Sequence, residues 1–356
     1  MQDKVKEQYF GSLRVVQVLL TEPSGEVFYP LDIHAQCRGL VYLCRMKPRI
    51  VFMGTPEFAV PGLEILIAAG YPVVGVITAT DKMGGRGGKR LLESAVKKCA
   101  VRHGIPVLQP AKFRNEDFLS ELRALKADLQ IVVAFRMLPA VVWDMPPLGT
   151  FNLHGSLLPR YRGAAPINWA VIRGETETGC TTFFLKHEID TGDLLLQHRI
   201  PIGPDDTAGD VHDRMMLEGA ELVLKTVQLI ESKKYTLRAQ DDEAATSAPK
   251  IHRETCRIDW TQPVRTVHDF VRGLSPWPAA WTTLGGDTLK IVRTTAETAA
   301  HQHPPGKVIS DDKTFLKVAC EGGYLNVLEL QAAGRKRMDV KSFLAGSQLP
   351  AGTTLG

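Results

Sequence analysis

From residue 49 onward the chain alternates short, largely apolar runs with longer stretches in which apolar positions recur every three or four residues. The short runs, at residues 49–53, 73–78, 107, 129–134 and 151–153, predict buried strands. The longer ones predict helices: after Pro56, with Leu63, Leu66 and Ile67 on one face, then around residues 91–103 and 115–125. Strands alternating with helices imply an α/β fold with a predominantly parallel sheet covered on both faces, and ligands on such sheets bind beyond the carboxyl ends of the strands. Residues 181–185 and 194–200 predict a hairpin that closes the sheet, and a helix over 209–230 opens with Thr207 and Asp210 spaced as a capping box.

The texture then changes. The acidic run from Gln240 to Glu243, continuing to Pro249, reads as the core of a linker over 233–250. Beyond it, over 251–356, short strands at 289–292, 315–319 and 325–330 alternate with Gly, Pro and Asp turns, which is the pattern of a small β-barrel. The first 45 residues match neither part. They hold two apolar stretches, 13–20 and 40–44, and five acidic and five basic residues, which fits neither a secretory signal nor a transit peptide. Met46 precedes the first strand so directly that a catalytic domain over 46–232 is expected, with 1–45 an extension of unassigned role.

With 356 residues, 44% hydrophobic and 23% charged, the chain has material for about two domains and is neither disordered nor fibrous. No apolar run approaches the roughly 20 residues that cross a bilayer, so no membrane association is expected. The six cysteines form no CxxC pair and no Cys/His zinc spacing, which predicts reduced thiols, a cytoplasmic location and no metal. Residues 249–356 carry 14 basic and 10 acidic groups whereas the rest is balanced, so the net charge of +4 falls entirely in the last third. That segregation points to a polyanionic partner of the C-terminal part, although a solvated surface accounts for it equally well.

Candidate chemistry lies in four places. Gly54-Thr55-Pro56-Glu57-Phe58-Ala59 follows the first strand, but Pro56 stands where a dinucleotide fold needs its second glycine, which makes a nicotinamide enzyme a weak reading. Residues 151–163, FNLHGSLLPRYRG, place Asn152 and His154 two apart and so on one face of an extended segment. An amide N–H and a protonated imidazole there suit attack by an amine on a carbonyl, because both donate to the developing oxyanion. Asp190-Thr191-Gly192-Asp193 lies between two strands. Turn chemistry alone explains it, unless the turn folds over His154, where Asp190 would favour the protonated ring and relay a proton. The loop at 81–90 combines four glycines with Lys82, Arg86, Lys89 and Arg90, suited to gripping phosphates, yet it lacks the P-loop pattern.

Taken together, residues 49–59, the Gly85-Arg86-Gly87 loop, residues 152–167, Asp190 to Asp193, Ser275 to Ala279 and the ending from Gly346 resemble the methionyl-tRNA formyltransferases of the wider folate-dependent formyltransferase family. The likeness runs from Met46 onward. It implies a Rossmann-like formyltransferase domain followed by an OB-like β-barrel, and transfer of a formyl group from 10-formyltetrahydrofolate to the amino group of methionine on initiator tRNA. The family's catalytic Asn, His and Asp match Asn152, His154 and Asp190. Its tetrahydrofolate-binding segment matches Ser156, Leu157, Leu158 and Pro159, with the pterin in an apolar cleft beside Val133, Phe135 and Leu138. Its tRNA-entering loop matches Arg86, flanked by Lys89 and Arg90, and Lys336 and Arg337 are candidate contacts on the barrel. A monomer is expected.

Three departures stand out: the extension before Met46, Phe135-Arg136 where members commonly carry Tyr-Gly, and Ser247 in place of an aromatic in the linker. Arg136 is thereby expected to set a charge beside the folate cleft unless it turns outward. The rivals are a folate-dependent formyltransferase acting on a small amine, such as glycinamide ribonucleotide or an amino sugar, and a nonenzymatic RNA-binding protein. The first should lack the basic loop and the barrel. The Asn/His/Asp set argues against the second.

Overall fold

The computed structural model describes residues 5–10, 13–22, 25–30, 47–84, 90–347, 349–350 and 352–356, and it divides into two compact units, Met1–Lys47 and Pro48–Gly356. In the first, β1 (Val5–Phe10), β2 (Leu13–Glu22) and β3 (Gly25–Pro30) form an antiparallel sheet in that order. The apolar stretch at 13–20 lies within β2, and the stretch at 40–44 lies outside the described residues.

The second unit begins with alternating strands and helices: β4 (Ile50–Gly54), α1 (Val60–Ala68) and β5 (Val73–Ile77). A small hairpin follows, β6 (Lys82–Gly84) with β7 (Arg90–Leu92), then α2 (Ala95–Arg102) and β8 (Val107–Leu108). Next come α3 (Glu116–Ala124), β9 (Leu129–Val133), α4 (Ala140–Trp143), β10 (Thr150–His154) and α5 (Pro166–Ile172). The helix expected from residue 91 starts four residues later. Ser94 caps it by accepting the Lys97 N–H at 3.0 Å, while Leu91 and Leu92, which invited the earlier start, pair with β6 and lie exposed.

The main sheet has seven strands in the order β12-β11-β10-β9-β4-β5-β8, where β11 (Glu177–Phe184) and β12 (Leu194–Pro201) form a hairpin that joins β10 antiparallel and the remaining pairings are parallel. Strands β4 and β9 at its centre are buried along their whole length. Side chains alternate between two cores: Phe52, Ile131, Val133 and Leu153 pack on one side, Val51, Met53 and Val132 on the other. The first side is covered by α1 and by α6 (Ala208–Ser232), whose capping box forms as expected, with Thr207 Oγ1 accepting the Asp210 N–H at 3.1 Å.

The C-terminal part opens with α7 (Val264–Gly273), a helix the sequence reading did not assign, which buries Val264, Val267 and Val271 against the barrel strands. Those strands are β13 (Ala280–Leu284), β14 (Asp287–Thr298), β15 (Val308–Ser310), β16 (Leu316–Cys320), β17 (Gly323–Ala332) and β18 (Met338–Asp339), before α8 (Val340–Ala345). The sheet runs β13-β14-β17-β16-β15. Its two edges are joined by the last residues: Val308 N–H donates to Thr353 O at 3.0 Å and Thr283 N–H to Gly356 O at 2.8 Å, so the tail closes the barrel. Among the described residues no helix is long and apolar enough to cross a membrane, and Cys99, Cys180, Cys256 and Cys320 are free thiols.

Helix α7 supplies a pH-sensitive contact. His268 is buried, with Nδ1 2.9 Å from Thr294 Oγ1, and burial pushes its imidazole below the ordinary histidine value despite the Pro204 carbonyl and the nearby Asp205 and Asp269. The unfolded chain, titrating near ~6.5, therefore takes up the proton first, and the stability this group contributes is lost as pH falls below that value. Thermal unfolding at about pH 7.5 and about pH 5.5 should show a drop in melting temperature on acidification that His268→Gln reduces; an equal drop in both proteins would remove His268 as a cause.

Candidate active site

Strand β10 delivers the central side chains. It pairs with β9 in parallel with Asn152 opposite Val132, so Asn152 and His154 project to the same side of the sheet as Val132, away from the core that holds Val133. Beyond β9 the chain turns through Ala134, at φ +48°, and opens a cavity of about 670 Å³ at the carboxyl edge of the parallel strands. Its floor is apolar, with Val132, Leu138, Trp143 and Leu185, and its rim carries Asn152, His154 and Asp190.

The three rim groups are held differently. His154 is 6% exposed and its Nε2 lies 2.9 Å from the Tyr161 carbonyl. A carbonyl only accepts, so Nε2 carries the proton and Nδ1 is the nitrogen free to change state. That Nδ1 faces Asp190, with Oδ2 at 3.7 Å. Asp190 occupies a left-handed conformation, φ +57°, and its Oδ2 accepts the Gly163 N–H at 2.9 Å. Gly163 has φ +125°, and a Cβ there would sit 2.6 Å from Ala248 O, so only glycine brings this amide to the carboxylate. Asn152 makes no side-chain hydrogen bond with the described residues, which leaves its carboxamide free to bind what enters the cavity. The turn of 190–193 thus folds over His154, the alternative that sequence left open.

The residues expected around the folate divide. Phe135 and Leu138 line the cavity. Val133 is in the core beneath α1 and α6, because the strand's alternation gives the cavity to Val132. Ser156 is fully buried with Oγ donating to Arg160 O at 2.6 Å, and Leu158 N–H bonds Thr181 Oγ1 at 3.1 Å, which turns this segment away. Leu157, Leu158 and Pro159 instead line a separate polar depression with Gln197 and His198. Arg136 lies at the cavity's edge with its guanidinium drawn to the carbonyls of Pro110 and Ala111 and stacked 4.1 Å from the Phe113 ring.

Of the expected tRNA contacts, Arg86 and Lys89 lie outside the described residues. Arg90 is exposed at the start of β7, Lys336 is exposed, and Arg337 is engaged by Glu329. Sequence reasoning missed Trp143, Leu185 and His187, the last edge-on to Trp143 at 5.3 Å; Trp143 ends α4 whereas Leu185 and His187 follow β11, so no shared local pattern links them. The described residues hold one group with metal-ligand geometry, Glu64, Cys99 and His103, distant in sequence from the rim, where Arg102 already binds Glu64 at 3.1 Å.

Comparison with known proteins adds the family. The profile of the family described as Formyl transferase matches residues 48–227, and that described as Formyl transferase, C-terminal domain, matches 250–348. The chain is 55% identical over 318 residues to the methionyl-tRNA formyltransferase of Parabacteroides distasonis, covering 86% of this chain and 98% of the relative. It is 54% identical over 310 residues to that of Bacteroides fragilis, covering 85% and 95%. Among solved structures, an N-formyltransferase from Helicobacter canadensis in complex with folinic acid and dTDP-3-aminofucose superposes with a TM-score of 0.62 at 19% identity, over 80% of this chain and 99% of that one, a likeness of fold.

Proposed function

This chain belongs to the formyl transferase family, and from that premise we propose that it moves the formyl group of 10-formyltetrahydrofolate to the α-amino group of methionine on initiator tRNA. The observation that carries the reading is the meeting of Asn152, His154 and Asp190 on the rim of one cavity with an apolar floor. The volume of about 670 Å³ suits a flat ring system with a polar edge, and the Phe135 to Leu138 rim gives the rest of a folate a way out.

In this mechanism the amine nitrogen bonds to the formyl carbon and the carbonyl oxygen takes up the electron pair. Asn152 Nδ2 and protonated His154 Nδ1 donate to that oxygen, while Nε2 stays on the Tyr161 carbonyl and fixes the ring. Asp190 pairs with the imidazolium and accepts the proton that leaves the amine. As the bond from the formyl carbon to folate N10 breaks, that proton passes to N10 and the charge balance closes.

The macromolecular substrate is assigned to the basic groups Arg86 and Lys89, which lie in sequence between β6 and β7, Arg90 at the start of β7, and Lys336 and Arg337 on the barrel. Arg337 would exchange its Glu329 partner for a phosphate. Arg86→Ala should raise KM for charged tRNA, flatten its dependence on log salt by about one, and leave folinic acid binding unchanged; an unaltered KM and slope would remove the loop from binding. The reading as a whole is tested by mass. The protein is given 10-formyltetrahydrofolate with methionine-charged initiator tRNA, and glycinamide ribonucleotide in parallel. Formyl on methionine is expected, and formyl on the small amine alone would overturn the substrate assignment.

A further inference from the structure

The segment that leads from α6 to the barrel, 233–250, is hydrogen-bonded to both loops that hold the reacting side chains in place, one at Tyr161 to Gly163 and the other at Asp190 to Leu194. Arg238 and Leu194 exchange backbone hydrogen bonds of 2.8 and 3.2 Å. Farther on, Arg162 N–H donates to Thr246 O at 2.8 Å, Ala248 N–H to Arg162 O at 2.7 Å, and Tyr161 N–H to Thr246 Oγ1 at 2.9 Å. The Tyr161 carbonyl is the one that holds His154.

Between these anchors sits Gln240, with its carboxamide fully used. Nε2 donates to the backbone carbonyls of Asp190 and Gly192, both at 2.8 Å. Oε1 accepts from Arg162 Nε at 3.0 Å and Nη2 at 2.8 Å. Arg162 continues to Asp242 at 2.7 Å. Gln240 does not line the cavity, so it cannot act on substrate directly.

What it can act on is Asp190. A left-handed backbone at a residue other than glycine is strained and persists only where its surroundings hold it. Here the holding contact is the pair of Gln240 N–H groups on the carbonyls of that turn. The same carboxamide grips Arg162, whose neighbour Gly163 supplies the amide that aims the Asp190 carboxylate. One side chain therefore ties the backbone of the carboxylate to the backbone of the amide that directs it.

We propose that Gln240 is a positioning residue for formyl transfer: braced by Arg162, it fixes Asp190 against His154 and makes that alignment depend on how the segment leading to the barrel is seated. This rests on the roles given above to His154 and Asp190. Because a displacement of about 1 Å in a reacting group costs on the order of 100-fold, Gln240→Leu, close in volume but without hydrogen bonds, should lower kcat by about 10- to 100-fold. KM for both substrates and affinity for folinic acid should hold, and the pH profile of kcat should change shape. Gln240→Glu, which still accepts from Arg162 but no longer donates to Asp190 and Gly192, should lose a comparable factor.

In an Asp190→Asn background, Gln240→Leu should slow single-turnover transfer little further. Full multiplication of the two losses, or a wild-type kcat and pH profile in both Gln240 variants, would overturn the proposal. If Asp190→Asn itself transfers formyl at the wild-type rate, the reading of the site fails first, and this inference with it. If Asp190→Asn is slow while the Gln240 variants are normal, only the inference falls.

Discussion

Replacing either Asn152 or His154 by alanine should slow formyl transfer by roughly 10²-fold or more, the loss of about 3 kcal/mol that follows removal of one preorganised oxyanion donor. The basis is geometric. Asn152 faces the cavity with its carboxamide uncommitted, and His154 has one ring nitrogen fixed on a backbone carbonyl and the other aimed at Asp190. Among the described residues none takes a hydrogen bond from the Asn152 side chain, so the fold of the variant should survive and the loss should sit in kcat. His154→Ala also frees the Tyr161 carbonyl in a buried place, and some stability should go with the rate. Single-turnover rates with both substrates saturating, measured beside thermal unfolding, separate the two effects. Near-normal rates in both variants would take these residues out of the mechanism.

The second large effect is expected from Gly192→Ala. A Cβ at this position would lie 1.6 Å from the carbonyl oxygen of Phe184 and 2.9 Å from the Phe183 ring, so the backbone of β11 or of the turn must move. Forced repacking of this kind costs typically about 1–3 kcal/mol. Gly192 also accepts from Gln240 and lies two residues beyond Asp190, so the shift would reach the carboxylate. The variant should melt at lower temperature and transfer formyl slowly even where it is folded. A well-folded variant with wild-type kcat would show that the 190–193 turn tolerates displacement and that Asp190 need not be held as described.

Local signals made much of this protein legible before any coordinates. The capping box of Thr207 and Asp210 acts within one helical turn, and β4 announces itself by an apolar run. Spacing of two put Asn152 and His154 on one face, and the register against Val132 bears that out. The same alternation says that Val132 and Val133 face opposite ways without saying which meets the cavity, and the reading chose the one in the core. Helix α7 went unassigned although Val264, Val267 and Val271 recur at helical spacing, because polar and charged residues fill all the positions between except Phe270. At Ser156 to Pro159 the resemblance implied folate contact, whereas Ser156 Oγ is satisfied by Arg160 O. Gln240 reaches Arg162 and Asp190 across 78 and 50 residues, a distance at which a lone glutamine in an acidic stretch carries no pattern.

The most direct test of the central claim, that imidazole and carboxylate at this rim work as one unit, is a double-mutant cycle on the single-turnover rate using His154→Ala and Asp190→Asn. The account predicts that the two losses fall far short of multiplying in full, because the carboxylate that takes the amine's proton also holds the ring that donates to the oxyanion, so that each single variant already forfeits part of what the other side chain supplies. Losses that multiply in full would mean that the two side chains act independently, and would contradict it.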